Sequence, residues 1–133
     1  MRVGEIHTSN EGYKCEIIEY NRAFDVVVLI DDKHIKDCTY SDLKAGRVKN
    51  PYHRSVNGVG YLGEGEYSPG KHKKEYTAWS DMLKRTKVCT QWECFQNFAA
   101  WHMLQKSEGM VLQSTEDEYS PKTCFFISRS LHL

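Results

Sequence analysis

The sequence predicts an α+β fold, with an N-terminal antiparallel β-meander followed by a two-helix, aromatic-pinned C-terminal region with a short terminal strand. Short β-branched runs separated by hairpin-length turns fill the first 39 residues, and large aromatic residues recur at helical spacing further along the chain. The length of 133 residues and the hydrophobic content of 40% suffice for one core or two closely joined cores. We expect a β-rich module at 1–55, a glycine-rich connector at 56–74 and a helical region at 75–133.

Three or four strands are predicted in the N-terminal module: residues 13–20, 23–30 and 33–39 form three, and residues 3–9 form the first strand in the four-stranded alternative. The strand at 13–20 alternates apolar and polar side chains, as a strand with one buried face does, whereas the strand at 23–30 holds a continuous apolar run typical of a central strand covered on both faces. A single helical turn over residues 40–46 follows, capped by Ser41 or Asp42 and ended by Gly46.

The connector is marked by its glycines. Residues 57–65 contain four of them, which predicts a flexible or tightly folded segment. A phosphate-binding loop is the alternative interpretation of the Gly-x-Gly spacing. The segment lacks the Lys-Ser/Thr ending of such loops and follows no parallel strand, so we interpret it as a connector.

Aromatic residues define the core of the C-terminal region. The first helix, predicted over residues 75–86, places Tyr76, Trp79 and Met82 on one face. The expected core aromatic residues are Trp79, Trp92, Phe95, Phe98 and Trp101. A base-stacking platform is the alternative use of this stripe, but it would need flanking Lys and Arg side chains that the second helix lacks.

The second helix is predicted to begin at a capping box and to precede a short strand. Residues 90–93 fit that box, in which Thr90 caps a free amide and Glu93 reaches back. Gly109 is placed to end the helix. Residues 119–127 then indicate a proline-initiated turn and a strand that docks on the helices, because its apolar side chains would otherwise be exposed.

The sequence favours a cytoplasmic protein with no membrane partner. Its longest apolar run, residues 26–30, is too short to span a bilayer, and the N-terminus lacks the apolar stretch of a secretory signal. The five cysteines include no Cys-x-x-Cys pair, so free thiols are expected. A metal site that includes Cys89 and Cys94, or disulfides, are the alternatives.

Basic residues cluster locally, although 18 Lys and Arg residues balance 18 Asp and Glu residues. A protein that binds nucleic acid nonspecifically usually has a positive net charge, so the neutral total counts against that class. The clusters nevertheless predict a nucleic-acid-binding set of seven residues, namely Lys44, Arg47, Lys49, Arg54, Lys73, Lys74 and Arg85. Solvated loop faces are the alternative interpretation.

No catalytic residue, metal ligand or cofactor is predicted. The motifs of zinc proteases and serine hydrolases and the paired carboxylates of glycosidases are absent from the sequence. A metal-dependent nuclease would have to recruit His102 or His132 together with the acids at 116–118, and nothing in their spacing requires this. We expect His102 to be a partly satisfied helix residue.

Four motifs in residues 50–130 together resemble a group of small tailed-phage proteins described as HNH-like or homing-endonuclease-like. The motifs are VNGVGYLG at 56–63, YxxWxxMLxR at 76–85, VCxxWxxFxNFxxW at 88–101 and YSPxTCxFI at 119–127. Their order is also that of the family. The N-terminal half resembles the small β-rich module that often precedes this region in such proteins.

The resemblance implies fold and lineage, but departures from the pattern argue against nuclease activity. Family members commonly carry a Leu-Asp-Lys-Asp segment and a longer loop before Tyr-Ser-Pro, whereas this chain has LQST at 112–115 followed directly by EDE at 116–118. The first hypothesis is therefore a phage protein of the host cytosol that binds DNA through the basic set without cutting it. The second is a protein–protein inhibitor of a host nucleoprotein or defence enzyme, of anti-CRISPR or anti-restriction type. The third is an active metal-dependent nuclease.

Overall fold

The computed structural model describes residues 2–128 and divides the chain after Asn50 into two compact units. The first unit contains strands β1 Ile6–Thr8, β2 Lys14–Arg22, β3 Asp25–Ile30 and β4 His34–Cys38 and helix α1 Tyr40–Lys44. The second contains α2 Lys73–Arg85, β5 Lys87–Val88, a 3₁₀ helix Thr90–Glu93, α3 Phe95–Met103, β6 Met110–Ser114, β7 Glu118–Tyr119 and β8 Cys124–Ser128. The predicted α+β class and meander are confirmed, and the glycine-rich residues 56–74 belong to the second unit.

The first unit is an antiparallel sheet in the order β1-β2-β3-β4. Along β3, Val26, Val28 and Ile30 are fully buried, whereas Val27 and Leu29 are partly exposed on the opposite face. The continuous apolar run therefore alternates in burial. The expectation of a strand fully covered on both faces is wrong, because only one face of the sheet packs on the core that Leu43 and Val48 complete.

Thr39, rather than Ser41 or Asp42, caps helix α1. The Thr39 side chain accepts a hydrogen bond of 3.1 Å from the backbone N–H of Asp42. Gly46 follows the helix with φ +76°, and a Cβ there would lie 2.5 Å from the Asn10 side chain, so both the backbone conformation and the space favour glycine.

A polar cluster fixes the beginning of β1 against α1. Glu5 Oε1 accepts a hydrogen bond of 2.5 Å from the Tyr40 hydroxyl and lies 2.7 Å from His7 Nε2, while the Arg2 guanidinium lies over the Tyr40 ring. These hydrogen bonds, that from Tyr40 first, lower the pKa of Glu5 to about 2. The carboxylate is therefore ionised wherever the protein is folded near neutral pH.

The second unit is built around buried aromatic rings. Trp79, Trp92, Phe95 and Phe98 are fully buried, and Trp101 is partly buried against them. The Trp79 indole N–H donates a hydrogen bond of 2.7 Å to the Trp92 carbonyl, so the one polar atom of that ring is satisfied inside the core. Neighbouring rings lie 4.9–5.8 Å apart between centroids, in tilted or edge-to-face arrangements. The predicted inward-facing stripe is thus present.

The start and the end of the second helix differ from prediction. Residues 90–93 form a separate 3₁₀ turn with no side-chain cap, and α3 begins only at Phe95, because Cys94 has extended backbone angles. Glu93 pairs with Arg54 instead of reaching back to Thr90. The capping-box prediction is therefore wrong. So is the predicted helix end at Gly109, since α3 ends at Met103.

The glycine-rich segment is tightly folded, because it packs on α2 and α3 at very short range. The Gln96 side-chain amide donates to the carbonyls of Leu62 and Tyr67, and its oxygen accepts from the Tyr67 N–H. A Cβ added at Gly60 would lie 2.5 Å from Leu83 Cδ1 and 2.6 Å from Trp79 Cζ2. Glycine at position 60 is therefore required by lack of space.

The remaining strands close the second unit. Strands β6 and β8 pair antiparallel, with Met110 opposite Ser128 at one end and Ser114 opposite Cys124 at the other. Strand β5 pairs in parallel with β7. The predicted terminal strand is present as β8, and its Phe126 ring stacks on Trp101 at 5.7 Å. All five cysteines are free, as expected.

The close approach at Gly60 gives a stability prediction. Gly60→Ala should lower the free energy of unfolding of the second unit by about 1–3 kcal/mol, because the added methyl group overpacks the core beside Trp79 and Leu83. Urea unfolding followed by tryptophan fluorescence measures this directly, since all three tryptophans lie in the second unit.

Gly70→Ala is the matched control. Nothing lies within 4 Å of a Cβ added at Gly70, so its unfolding free energy should change by less than about 0.5 kcal/mol. Equal stability of the two variants would contradict the packing of the connector described above.

Candidate functional site: a basic groove along helix α2

A groove of about 560 Å³ runs along the outer side of α2 in the second unit. Its other walls come from the segment after α3 and from β6, β7 and β8. The floor is largely apolar and includes Ala78, Met82, Leu112, Tyr119 and Phe126. This combination of a concave apolar floor and nearby polar groups is typical of ligand-binding sites.

Three of the seven predicted basic residues line this groove. Lys73 and Lys74 lie at the N-terminal end of α2, and Arg85 lies at its C-terminal end. Lys74 and Arg85 are eleven positions apart, close to three full turns, so they point in similar directions about 16 Å apart along the axis. The groove therefore has a cationic group at each end.

These cationic groups are available to a ligand. All three side chains are exposed, and within residues 2–128 none of them forms an ion pair with a carboxylate. Arg85 Nε donates a hydrogen bond of 3.4 Å to the backbone carbonyl of Asp81, which leaves the terminal guanidinium nitrogens uncommitted in the same region. Asp81 itself lines the groove and is its one acidic wall residue among those described.

The local charge around α2 is strongly positive, although the whole chain is neutral. Residues 71–87 hold six Lys and Arg residues against the two acids Glu75 and Asp81. Glu75 is only 16% exposed at its side chain and faces inward toward His102. An anion approaching the outer side of α2 would therefore meet a predominantly positive field.

His102 is the buried polar residue of the groove. It is only 3% exposed, yet it contributes to the groove lining between α2 and β8. Its ring packs on Phe98 at 5.6 Å and on Phe126 at 5.2 Å between centroids. Two charged groups act on its ring nitrogens: the Glu75 carboxylate, whose Oε2 lies 3.7 Å from Nδ1 and thus beyond hydrogen-bonding distance, and the Lys74 ammonium, which lowers the pKa of the ring.

Burial determines the charge state of His102. Desolvation lowers the pKa of the imidazole below its ordinary value of 6.5, and the Glu75 carboxylate opposes that shift only in part. The ring is therefore neutral near physiological pH and can both donate and accept a hydrogen bond. The sequence already held a signal for its burial, because His102 lies seven residues after Phe95 and thus on the same inward-facing side of α3.

Arg54 has a structural role within the second unit. Its Nη1 donates to the Val59 carbonyl and forms an ion pair of 2.8 Å with Glu93 Oε1, and its guanidinium lies 5.3 Å from the Tyr61 ring centroid. These contacts hold the loop before the glycine-rich segment against the 3₁₀ turn. Arg54 does not line the groove.

The other three predicted basic residues belong to the first unit. Arg47 pairs with Asp42 at 2.9 Å, and the Lys44 ammonium lies 5.9 Å from the Tyr40 ring centroid. Lys49 is exposed, and its backbone carbonyl accepts a hydrogen bond from Lys36. The structure therefore gathers Lys73, Lys74 and Arg85 into one site and leaves the rest of the set outside it.

Of the residues considered for a nuclease site, those that the structure describes do not share one cavity. Glu116, Asp117 and Glu118 line a separate depression of about 430 Å³ together with Thr115 and Thr123, and His102 is not part of its wall. Within residues 2–128 no three His, Cys, Asp or Glu side chains are grouped so that they could hold a metal ion. His132 lies outside the described residues.

Comparison of the chain with protein-family models, with curated protein sequences and with solved structures finds no match. In the part of the chain that the structure describes, none of the helices is sufficiently long and apolar to cross a membrane.

The burial of His102 predicts a specific pH dependence of stability. Because its pKa is lowered by folding, the unfolded chain binds the proton more readily below about pH 6.5, and acidification favours unfolding through this residue. His102→Phe removes the titration while keeping an aromatic ring of similar size. The stability of the wild type relative to this variant should therefore fall between about pH 7.5 and about pH 5.5.

Urea unfolding at the two pH values, followed by tryptophan fluorescence, measures this difference. The comparison needs no further control, because the two proteins share every titratable group except His102. A stability difference that stays constant, or that moves in favour of the wild type on acidification, would contradict the proposed burial of a neutral imidazole.

Proposed function

We propose that the protein is a phage-encoded, nucleic-acid-associated protein of the host cytosol, built on a degenerate HNH-like scaffold, which binds DNA without cutting it. The observation that supports this most is the meeting of Lys73, Lys74 and Arg85 at the two ends of a single groove. Phosphate contacts by Lys and Arg supply most of the affinity of nonspecific nucleic-acid binding. Exposed cations without a carboxylate partner among the described residues suit that role.

Helix α2 holds its cationic side chains in fixed positions, which suits contacts with the phosphate backbone of a nucleic acid. Its inner face holds Trp79, Met82 and Leu83 in the core, so the helix is rigidly placed and its outer face is fixed with it. Cations held on a fixed helix lose less entropy on binding than cations on a mobile loop. The arrangement therefore favours contact with phosphates of one strand at both ends of the groove.

Binding without cleavage is supported by the separation of the chemical groups. Hydrolysis of a phosphodiester by a metal-dependent nuclease needs a base and metal ligands directed at one position. Here the neutral imidazole of His102 faces the groove, while Glu116, Asp117 and Glu118 line a different depression. The proposed role of the groove is accordingly to hold a strand.

The groove predicts a measurable salt dependence of DNA binding. Replacing Lys73, Lys74 and Arg85 together by Ala should weaken binding to a labelled duplex of mixed sequence. It should also reduce the slope of log affinity against log salt concentration by about 0.9 for each phosphate contact removed, and thus by up to about 2.7. Fluorescence anisotropy over a salt series measures both quantities.

A triple variant with the same change in charge serves as the control. Lys84, Lys87 and Lys122 are exposed residues of the second unit that do not line the groove, so replacing them by Ala should change the slope much less. A wild-type protein with no measurable affinity for either duplex or single-stranded DNA at low salt would refute the proposed function. Equal effects of the two triple variants would refute the assignment to the groove.

The second candidate function is inhibition of a host defence enzyme by direct protein contact, and a feature of the first unit favours it. Register places Ile6 opposite Glu16, Glu16 opposite Leu29 and Leu29 opposite Ile35, so these four residues form one row across the outer face of the sheet. Ile6 is 57% exposed and Ile35 is 65% exposed. The adjacent row, Glu19, Val27 and Asp37, adds two more acids.

This outer face suits a protein partner that presents aliphatic side chains surrounded by Lys and Arg. Exposed aliphatic residues at the centre of such a patch contribute binding energy, and the surrounding acids select the partner by charge. A nucleic acid would instead be repelled by Glu16, Glu19 and Asp37. The two candidate functions therefore use different surfaces of the chain.

The second candidate predicts a stoichiometric complex that survives nuclease treatment. Affinity purification from host lysate should retain a partner with the wild type and lose it with Ile6→Ser/Ile35→Ser, and the purified pair should re-form a complex in size-exclusion chromatography. The Lys73/Lys74/Arg85 triple variant is the matched control and should retain the partner. Loss of every co-purified protein on nuclease treatment would refute direct inhibition.

A further inference from the structure

The floor of the groove contains groups that a phosphate backbone does not need. Phosphates require only cations and N–H donors, which Lys73, Lys74 and Arg85 supply at the ends of the groove. Between those ends lie Met82, Tyr119 and Phe126, together with the imidazole of His102. A duplex lying across the cations would leave this apolar floor without a partner, since its outer surface offers mainly sugars and phosphates.

His102 supplies an independent indication of a ligand. The side chain is more than nine-tenths buried and contributes to the groove wall, and the carboxylate of Glu75 lies beyond hydrogen-bonding distance of its Nδ1. The ring lies between Phe98 and Phe126, so it borders the aromatic core and the groove. A polar group placed in this way can form a hydrogen bond with the polar edge of a ligand whose flat faces contact the apolar floor.

From these observations we propose that the groove along α2 binds an unpaired strand of nucleic acid, with phosphates at its cationic ends and an exposed base on its apolar floor beside His102. This inference rests on the proposed function and specifies its ligand. Single-strand binding sites combine a positive groove with apolar and aromatic surfaces that cover the bases. The groove volume of about 560 Å³ lies within the usual range for sites that enclose one small ligand group.

The shape of the site favours an unpaired strand over a duplex. Proteins that read duplex DNA insert a convex element, usually a helix, into a groove of the nucleic acid. Here the protein surface is concave, and α2 forms one of its walls. A base can enter such a groove only when it is free of its pairing partner, which costs least in a single strand.

The test compares four labelled ligands of equal length at one low salt concentration: a thymidine strand, a uridine strand, a mixed-sequence duplex and an abasic strand. The abasic strand keeps every phosphate and lacks every base. We expect the wild type to bind the thymidine or the uridine strand at least about tenfold more tightly than the abasic strand. We also expect it to bind that strand more tightly than the duplex.

His102→Phe tests the polar contact, with Leu104→Ala as the control. The first should reduce the affinity for the base-containing strand about tenfold and leave the affinity for the abasic strand unchanged. Leu104 is 84% exposed and does not line the groove, so its truncation should change neither. Because the abasic comparison uses only the wild type, it remains decisive if His102→Phe folds poorly.

The outcomes separate the two proposals. The single-strand inference is overturned if the protein binds the abasic strand as tightly as both base-containing strands. It is also overturned if the protein binds the duplex more tightly than either of them. In both cases phosphate binding at the groove stands. Failure to bind any of the four ligands refutes the proposed function and the inference together. An undiminished affinity of a folded His102→Phe protein for the base-containing strand overturns the role given to His102.

Discussion

The hydrogen bond from the Trp79 indole to the Trp92 carbonyl is the constraint on which the second unit depends. It joins α2 to the 3₁₀ turn before α3, and it satisfies a donor that would otherwise be buried without a partner, at a cost of about 1–3 kcal/mol. The rings of Phe95, Phe98 and Trp101 then fill the space on either side of the contact. The bond lies on the buried face of α2, with Met82 and Leu83, whereas Lys74 and Arg85 are exposed.

The same helix therefore forms both the core and the candidate site. Met82 illustrates the connection, because it is buried in the aromatic cluster and also reaches the groove floor. His102 has a similar position on α3, between Phe98 on the core side and Phe126 on the side of β8. A change in core packing at either residue would alter the shape of the groove. Substitutions at Met82 and His102 are thus expected to change both stability and ligand binding. Substitutions of the exposed residues at the ends of the groove, Lys73, Lys74 and Arg85, are expected to change ligand binding without changing stability.

Hydrophobic periodicity correctly predicted the helices and strands whose formation depends on residues close in sequence. The spacing of Tyr76, Trp79 and Met82 placed the first helix within two residues of α2, and β-branched runs with short turns located β2, β3 and β4 and left β1 as one of two alternatives. The failures have non-local causes. The capping-box prediction at Thr90 was wrong because Cys94 is extended and forms a parallel β-bridge with Tyr61. The folding of the glycine-rich segment depends on Gln96, more than thirty residues away from Leu62. The groove was not predicted, because it exists only once β8 pairs with β6, a strand that the sequence did not indicate.

The zero net charge of the chain, which the sequence alone counted against nucleic-acid binding, says little about the field at the groove. Interactions between exposed charges fall off over a Debye length of about 8–10 Å at moderate salt, so acids beyond that distance from a ligand are largely screened. Glu75, the acid nearest to Lys73 and Lys74 in sequence, is largely buried and faces inward toward His102 rather than toward the surface. A neutral protein can in this way present a positive site, provided that its acids lie on other surfaces, as the acidic sheet face of the first unit and the depression at 116–118 illustrate. The distribution of charge over these surfaces, and not its sum, therefore determines which ligand each one can hold.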